Sequence, residues 1–516
     1  MSWQPEIDEL RHREGLAEQM GGADKVERQH HFGKLTVRER IAKVADPGTF
    51  NEIGKTAGVG TYDDDGNLTD FSPANFVFGM AEVDGRPLVL SGDDFTVRGG
   101  SADAAIPEKR NASEYLAAEL RLPHLRLIDG MGGGGSVKTI EQNGWVKMNQ
   151  IIGWDPVIDH LAIAPSVALA LGSVAGIGAA RVTTAHYSII VRETAQMMIA
   201  GPALVEWASL GEVTKEELGH ADIHTSNGAI DDVADSEDEA FAMATRFLSY
   251  LPTNVDEVPG RVDSGDDPGR RDEGLLSIVP RDARRVYKMR SILDAVFDLE
   301  SFFEMGRGWG RSIITGLARL DGYPCAVFAE DPYIYGGGWT ADASRKLVRL
   351  ADLASTFHLP LVHLQDCPGF VIGQQSEQEG TIRAGSTALA ALGQATVPFA
   401  TVVIRKAYGV AGAANRVPGT HSFRASWPSG DWGSLPLQGG IEVAYKQELA
   451  DSDDPDALIE TIRERLNNVR SPLRTAEKYS IEQIIDPRDT RQALCNWIRL
   501  AQYSLKPGPT AFGYRP

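Results

Sequence analysis

Cysteine is scarce: the chain of 516 residues has three, Cys325, Cys367 and Cys495. They stand far apart, with no His or Cys companion at metal-ligand spacing, so neither a zinc site nor a disulfide framework is legible. That usage fits a reducing, cytoplasmic setting. Basic charge is also in short supply. With 51 Lys and Arg against 71 Asp and Glu, the formal net charge is −20. No basic stripe is available to meet a nucleic-acid backbone or an anionic membrane, and an anionic small molecule would need a local basic pocket. Near the N-terminus Glu6, Asp8, Glu9, Arg11 and His12 replace the apolar stretch of a secretory signal. One uncharged run, Leu161 to Ala180, is nominally long enough to cross a bilayer. Pro165, Gly172, Gly176 and Gly178 divide it into a strand, a turn and a helix start, so no membrane span is expected.

What the chain does have is length and glycine. Its size favours two large domains, and 54 glycines spread among 42% hydrophobic residues describe a globular chain with many tight turns. The organisation is a duplication. Gly79 to Pro87 recurs as Gly316 to Pro324, each two apolar strand segments around an Asp-Gly turn, separated by 237 positions. At the same spacing Gly99-Gly100 matches Gly336-Gly337, and Leu122-Pro123 with a strand to Asp129 matches Leu359-Pro360 with a strand to Asp366. Pro165 then leads through an apolar strand to Gly176-Ile177, as Pro398 leads to Gly409-Val410. Each unit alternates strands with crossover helices, an α/β pattern. Residues 1–50 read as a helical lead-in, 51–255 as the first domain, 256–271 as a linker rich in Gly, Pro, Asp and Arg, and 272–516 as the second domain.

In both units a strand runs into a glycine turn that opens a helix, at Gly176-Ile177-Gly178 and at Gly409-Val410-Ala411-Gly412. Such a turn can aim two backbone N–H groups at one point, with the helix dipole adding positive potential: an oxyanion hole. Small residues there also simply let a helix pack close to a sheet, but the symmetric recurrence favours function. No Gly-Lys-Ser/Thr follows either turn, and no acidic residue is placed for a ribose, so nucleotide binding is not expected.

Several phrases carry a resemblance. Gly33 to Arg40 with Asp46 to Phe50, Asp94 to Val97 with Gly99-Gly100-Ser101, and Gly201-Pro202 with Gly211-Glu212-Val213 fall in the first half. Asp366 to Phe370, Ala395 to Pro398, Arg405 to Gly409 and Pro472 to Ala476 fall in the second. Together they resemble the carboxyltransferase β subunits of propionyl-CoA and methylcrotonyl-CoA carboxylases over nearly the whole chain. The resemblance implies two crotonase-like domains of the ββα superhelix type. It also implies an active site between the first domain of one subunit and the second domain of another, and a homohexamer built as a trimer of dimers. In that family the amides of Gly176 and Ile177 would hold the thioester oxygen of an acyl-CoA as its α-carbon becomes an enolate. Those of Val410 and Ala411 would polarise the ureido oxygen of carboxybiotin. Gly99, Gly100, Gly134, Gly135, Gly178, Gly409, Gly412 and Ala413 would line the substrates, and Arg98, Lys109, Arg110, Lys138 and Lys147 are candidates for CoA phosphate contacts. Biotin is expected on a separate subunit, together with a biotin carboxylase, because Val146-Lys147-Met148 lies in helical context and lacks the β-sandwich that presents a biotinylated lysine. No metal is expected.

The sequence departs from the family at its turns. Gly409-Val410-Ala411-Gly412-Ala413 stands where the family has Gly-Gly-Ala-Tyr-Asp, and Gly176-Ile177-Gly178 where it has Gly-Gly-Ala. The family's Gly-Ala-Arg-Ile-Gln-Glu phrase is only loosely echoed around Gly134 to Val137. These changes alter the pocket wall and point to an acyl group other than a plain propionyl chain. Decarboxylation or transcarboxylation from a malonyl-type thioester, and a silent assembly subunit, remain alternatives. Enoyl-CoA hydration would need two acidic residues flanking one hole, and none can be placed.

Overall fold

Where Asp84-Gly85 separates two apolar runs, a hairpin forms. Strands Phe76–Val83 and Arg86–Asp93 pair antiparallel with Val83 opposite Arg86. The turn holds Asp84 at φ 51° and Gly85 at φ 71°, the consecutive positive φ values of a tight two-residue connection whose twist matches its strands. Strands Ile313–Leu320 and Tyr323–Glu330 repeat this hairpin, with Asp321 at φ 52° and Gly322 at φ 78°. The computed structural model describes residues 2–101, 106–132, 141, 144–146, 148, 153–416, 419–467 and 469–511. It divides into Met1–Val255 and Asp256–Pro516.

In the first unit the hairpin extends into a seven-stranded sheet. Its later strands, His124–Ile128, Ser166–Ala170, Tyr187–Val191 and Asp232–Ala234, are added in parallel. Their residues are buried almost throughout, as parallel strands covered on both faces require. A small parallel sheet of Met131–Gly132, Ser173–Gly176 and Gln196–Met198 stands beside it.

The lead-in is three helices, Gln4–Glu18, Ala23–His31 and Val37–Val44. Thr36 and Glu39 cap the third reciprocally, satisfying two of its free amide donors. Its buried Arg40 reaches Asp129 at 2.8 Å and Glu237 at 2.7 Å. Lys34 and Gln29 complete the set on Asp129, at 2.7 and 3.0 Å. The lead-in is thus pinned to the sheet by charges that would be costly to separate.

The second unit carries an eight-stranded sheet built in the same manner. Its core gathers Phe297, Trp427, Trp497 and the thiols of Cys325 and Cys495. Residues 256–271 lie along this unit: Arg261 pairs with Asp321 at 2.8 Å and Asp266 with Arg491 at 3.1 Å.

The duplication reaches individual backbone angles. Arg98 and Tyr335 sit at φ 51° and 50°, Gly99 and Gly336 both at 64°, Arg121 and His358 at 54° and 59°, Gly176 and Gly409 both at 62°. Left-handed residues other than glycine are uncommon, so their recurrence at matched positions marks one ancestral chain path used twice. Among the described residues no helix is long and apolar enough to cross a membrane, and no group of three His, Cys, Asp or Glu could hold a metal ion.

Candidate active site

Strand Ser173–Gly176 delivers the chain into helix Ile177–Thr183. Gly176 makes the corner at φ 62°, ψ −125°, a conformation open essentially to glycine alone. The first amides of that helix have no intrahelical acceptor. Ile177 and Gly178 face a recess whose wall also includes Gly100. A Cβ on Gly100 would stand 2.7 Å from Gly130 Cα, so glycine is needed for the close approach of these two segments.

The rest of this recess is lined by Phe76, Leu127 and Ile128 together with Ser91, Asp93, Arg110, Glu114, Arg126 and Arg181. Arg110 pairs with Asp93 at 2.9 Å and lies over the Phe76 ring, 5.3 Å from its centre. Arg126 donates two hydrogen bonds to Glu114, at 3.1 and 2.7 Å. His124, wholly buried, shares a 2.9 Å hydrogen bond with Ser91 through Nε2. Its Nδ1 stands 3.2 Å from Glu114 but off the hydrogen-bond line. Burial lowers the His124 pKa, and Arg126 holds the Glu114 carboxyl well below its ordinary range in spite of its burial.

In the second unit the long strand Phe399–Tyr408 runs into the short helix Gly409–Gly412. Asp366 fixes that strand, accepting from Arg405 at 2.9 Å, from Tyr287 at 2.8 Å and from the Lys406 amide at 3.0 Å. The carbonyl of Gly412 accepts from Gln365 Nε2 at 2.9 Å and Asn415 Nδ2 at 3.1 Å, which holds the turn. Gly409, Gly412 and Ala413 line a cleft with Thr401, Asn415, Trp432 and Ile481. Ala411 is fully buried, and Val410 is 59% exposed. At the end of the strand Tyr408 donates to Asp431 at 2.5 Å, and Arg470 contacts both.

Of the basic residues singled out as phosphate contacts, Arg98 is exposed on the turn before Gly99. Lys109 is buried, 3.9 Å from Glu52, and desolvation lowers its pKa to about 8. Arg110 turns inward to Asp93. Gly134, Gly135, Lys138 and Lys147 lie outside the described residues. Sequence reasoning passed over Ser91, Glu114, His124, Arg126 and Arg181. The available signal was charge in apolar company: Arg126 interrupts Leu125 to Ile128, and Arg181 closes the uncharged run from Leu161, positions at which a charge needs a partner or a purpose.

Residues 28–507 match the family model described as a carboxyl transferase domain. The chain belongs to that family. It is 32% identical over 517 residues to the propionyl-CoA carboxylase carboxyltransferase subunit of Haloferax mediterranei, covering 99% of this chain and 98% of the relative. It is 30% identical over 502 residues to the biotin-dependent acetyl-/propionyl-coenzyme A carboxylase beta5 subunit of Mycobacterium tuberculosis, covering 93% and 89%. Among solved structures, a transcarboxylase 12S described as a hexamer with methylmalonyl-CoA and methylmalonic acid bound superposes with a TM-score of 0.88. That match has 28% identity and covers 100% of this chain and 99% of the other. The two crotonase-like units implied by the sequence are therefore the family's fold.

Proposed function

We propose that this chain is the carboxyltransferase component of a biotin-dependent acyl-CoA carboxylase, transferring a carboxyl group to the α-carbon, or its vinylogous equivalent, of an acyl-CoA. One observation carries this: a glycine corner at φ 62° opens a helix beside a recess at the same place in both units, in a member of the carboxyl transferase family. Carboxyl transfer develops negative charge on two oxygens, one on the thioester and one on the urea of the carrier, and so calls for two sets of donors.

The amides of Gly176 and Ile177 take the thioester oxygen. As the α-proton leaves, charge moves onto that oxygen, and fixed backbone donors stabilise it more than they stabilise the starting carbonyl. The amides of Val410 and Ala411 serve the urea oxygen. The cleft there offers the apolar faces of Trp432 and Ile481 beside the polar groups of Thr401 and Asn415, which suits a bicyclic urea with an apolar tail. Biotin, arriving on a partner chain with a biotin carboxylase, supplies the carboxyl group and a nitrogen basic enough to take the α-proton. The chain itself therefore needs no general base; its part is to hold both oxygens and exclude water. Assembly as a homohexamer, a trimer of dimers, is part of this reading.

Incubating the purified chain with methylmalonyl-CoA or malonyl-CoA and free biotin, and detecting carboxybiotin, tests the chemistry in reverse. Carboxybiotin is expected to form in proportion to enzyme. Its absence, together with no binding of any CoA ester by calorimetry, would leave a silent assembly subunit. The full-length match to a transcarboxylase favours a second direction of use, from one carboxylated thioester to another acyl acceptor, which the same two sets of donors serve.

A further inference from the structure

The cleft beside Gly409 takes its walls from three separated stretches of the second unit. Strand Phe399–Tyr408 and the turn after it give Ala407, Gly409 and Gly412, strand Asp431–Gly433 gives Trp432 and Gly433, and a third wall gives Thr475, Ser480 and Ile481. The cleft has a volume of 240 Å³, well above the roughly 10–15 Å³ that a single water needs. Its third wall is weakly held. Helix Pro472–Glu477 buries none of its residues, and Leu473 and Tyr479 are exposed, so burial does little to fix it. The C-terminal end is secured, because Gln483 and Ile484 pair with Ala425 and Ser426, and Glu482 with Arg424 at 3.0 Å. Between Val469 and Ser480 the backbone hydrogen bonds are local. Among the described residues, the hydrogen bonds that join the N-terminal end to the other two walls are those of Arg470, whose guanidinium contacts both the Tyr408 hydroxyl and Asp431.

Tyr408 and Asp431 are themselves joined at 2.5 Å, so one cluster ties the ends of all three walls together. Burial, and after it the Asp431 carboxylate, raises the pKa of the Tyr408 phenol, which therefore keeps its proton to donate. The first unit serves as an internal control. There Ala175 precedes Gly176 where Tyr408 precedes Gly409, yet both glycines hold φ 62°. The corner therefore forms without a phenol before it, and what Tyr408 adds is a tie to the third wall.

We infer that Tyr408, Asp431 and Arg470 are positioning residues for the biotin side: they hold the third wall against the other two and so set how firmly the cleft grips the carrier's urea, without touching the reacting atoms. This rests on the function proposed above. A lone ion pair at a partly exposed position stabilises little. Here a phenol and a carboxylate share one guanidinium, and hydrogen bonds to a charged group are stronger.

Carboxybiotin formation by the full chain, with free biotin varied at saturating methylmalonyl-CoA and then the reverse, separates the two sides. Arg470→Ala should raise KM for free biotin about tenfold, the scale of one charge-assisted hydrogen bond, and leave KM for methylmalonyl-CoA within about twofold of wild type. Arg470→Lys should recover part of the loss. Tyr408→Phe should shift KM for biotin in the same direction, and adding it to Arg470→Ala should change nothing further, because both act through one tie. Amide exchange between Val469 and Ser480 should quicken in Arg470→Ala, while that of Phe399–Tyr408 stays as in wild type. A rise in KM for biotin below about threefold, an equal rise for the CoA ester, or unchanged exchange would overturn the assignment. A wild-type chain that forms no carboxybiotin would remove the underlying function and this inference with it. An active enzyme whose KM for biotin ignores Arg470 would overturn the inference alone.

Discussion

Replacing Gly176 by alanine puts the proposed acyl-side hole under direct stress. The residue sits at φ 62°, ψ −125°, where a Cβ collides with its own backbone, and strain of this kind costs about 1–3 kcal/mol. The chain can relieve it by turning the peptide between Gly176 and Ile177, which carries the Ile177 amide away from the thioester oxygen. Loss of one such donor typically lowers kcat by about 10²–10³-fold. Gly176→Ala should therefore unfold at lower urea, by about 1–3 kcal/mol, and lose about 100-fold in kcat for carboxyl transfer. KM for the acyl-CoA should stay within about threefold, since the donor acts mainly on the charge that develops during reaction. Gly409→Ala, at the same φ, should lower kcat similarly through the biotin side. A Gly176→Ala enzyme that is destabilised as stated yet keeps kcat within threefold of wild type would refute the assignment of these amides.

Asp129→Asn should destabilise the first unit by about 3–5 kcal/mol, because Lys34 and Arg40 would lose the buried carboxylate that both of them contact. Amide exchange in Ala23–His31 and Val37–Val44 should accelerate, and a loss below about 1 kcal/mol in urea unfolding would show that the lead-in is held by other contacts. His160 gives a pH dependence. Burial depresses its pKa to about 3, below the unfolded value of about 6.5, so the unfolded chain takes up a proton there that the folded chain does not. Stability from this group is complete above about pH 6.5 and falls by about 1.4 kcal/mol per unit as pH drops toward 3. His160→Gln, which can still donate to the Leu122 carbonyl, should flatten the acid limb by up to one proton in urea unfolding at pH 4–6.5; an unchanged slope would count against a neutral buried imidazole.

The parts legible in the sequence are those fixed by local chain geometry. Asp-Gly turns, paired glycines and Pro-to-Gly strands impose their conformation on their neighbours, so both hairpins and both corners could be placed from residue order alone. What escaped was set by contacts between distant segments. Glu114 on a helix, His124 and Arg126 on a strand and Arg181 on a second helix converge only after the sheet has formed, and no spacing announces them. Arg110 was noticed for its charge and given an external ligand, whereas the fold turns it to Asp93. Comparing the two halves residue by residue would have exposed the cluster, since Ser91, Arg110, Glu114 and His124 are matched 237 positions on by Phe328, Leu347, Ala351 and Leu361.

The three native thiols are all buried, and desolvation raises their pKa, to about 12 for Cys495 and well above the ordinary thiol value for Cys325 and Cys367. Thiolate, the species that alkylates, is therefore scarce at neutral pH. The molecule comes with a chemically silent background for thiol-directed dyes. A cysteine installed at the exposed Val410 would take a single fluorophore without removal of any native cysteine, giving an optical report of when a carrier reaches that turn.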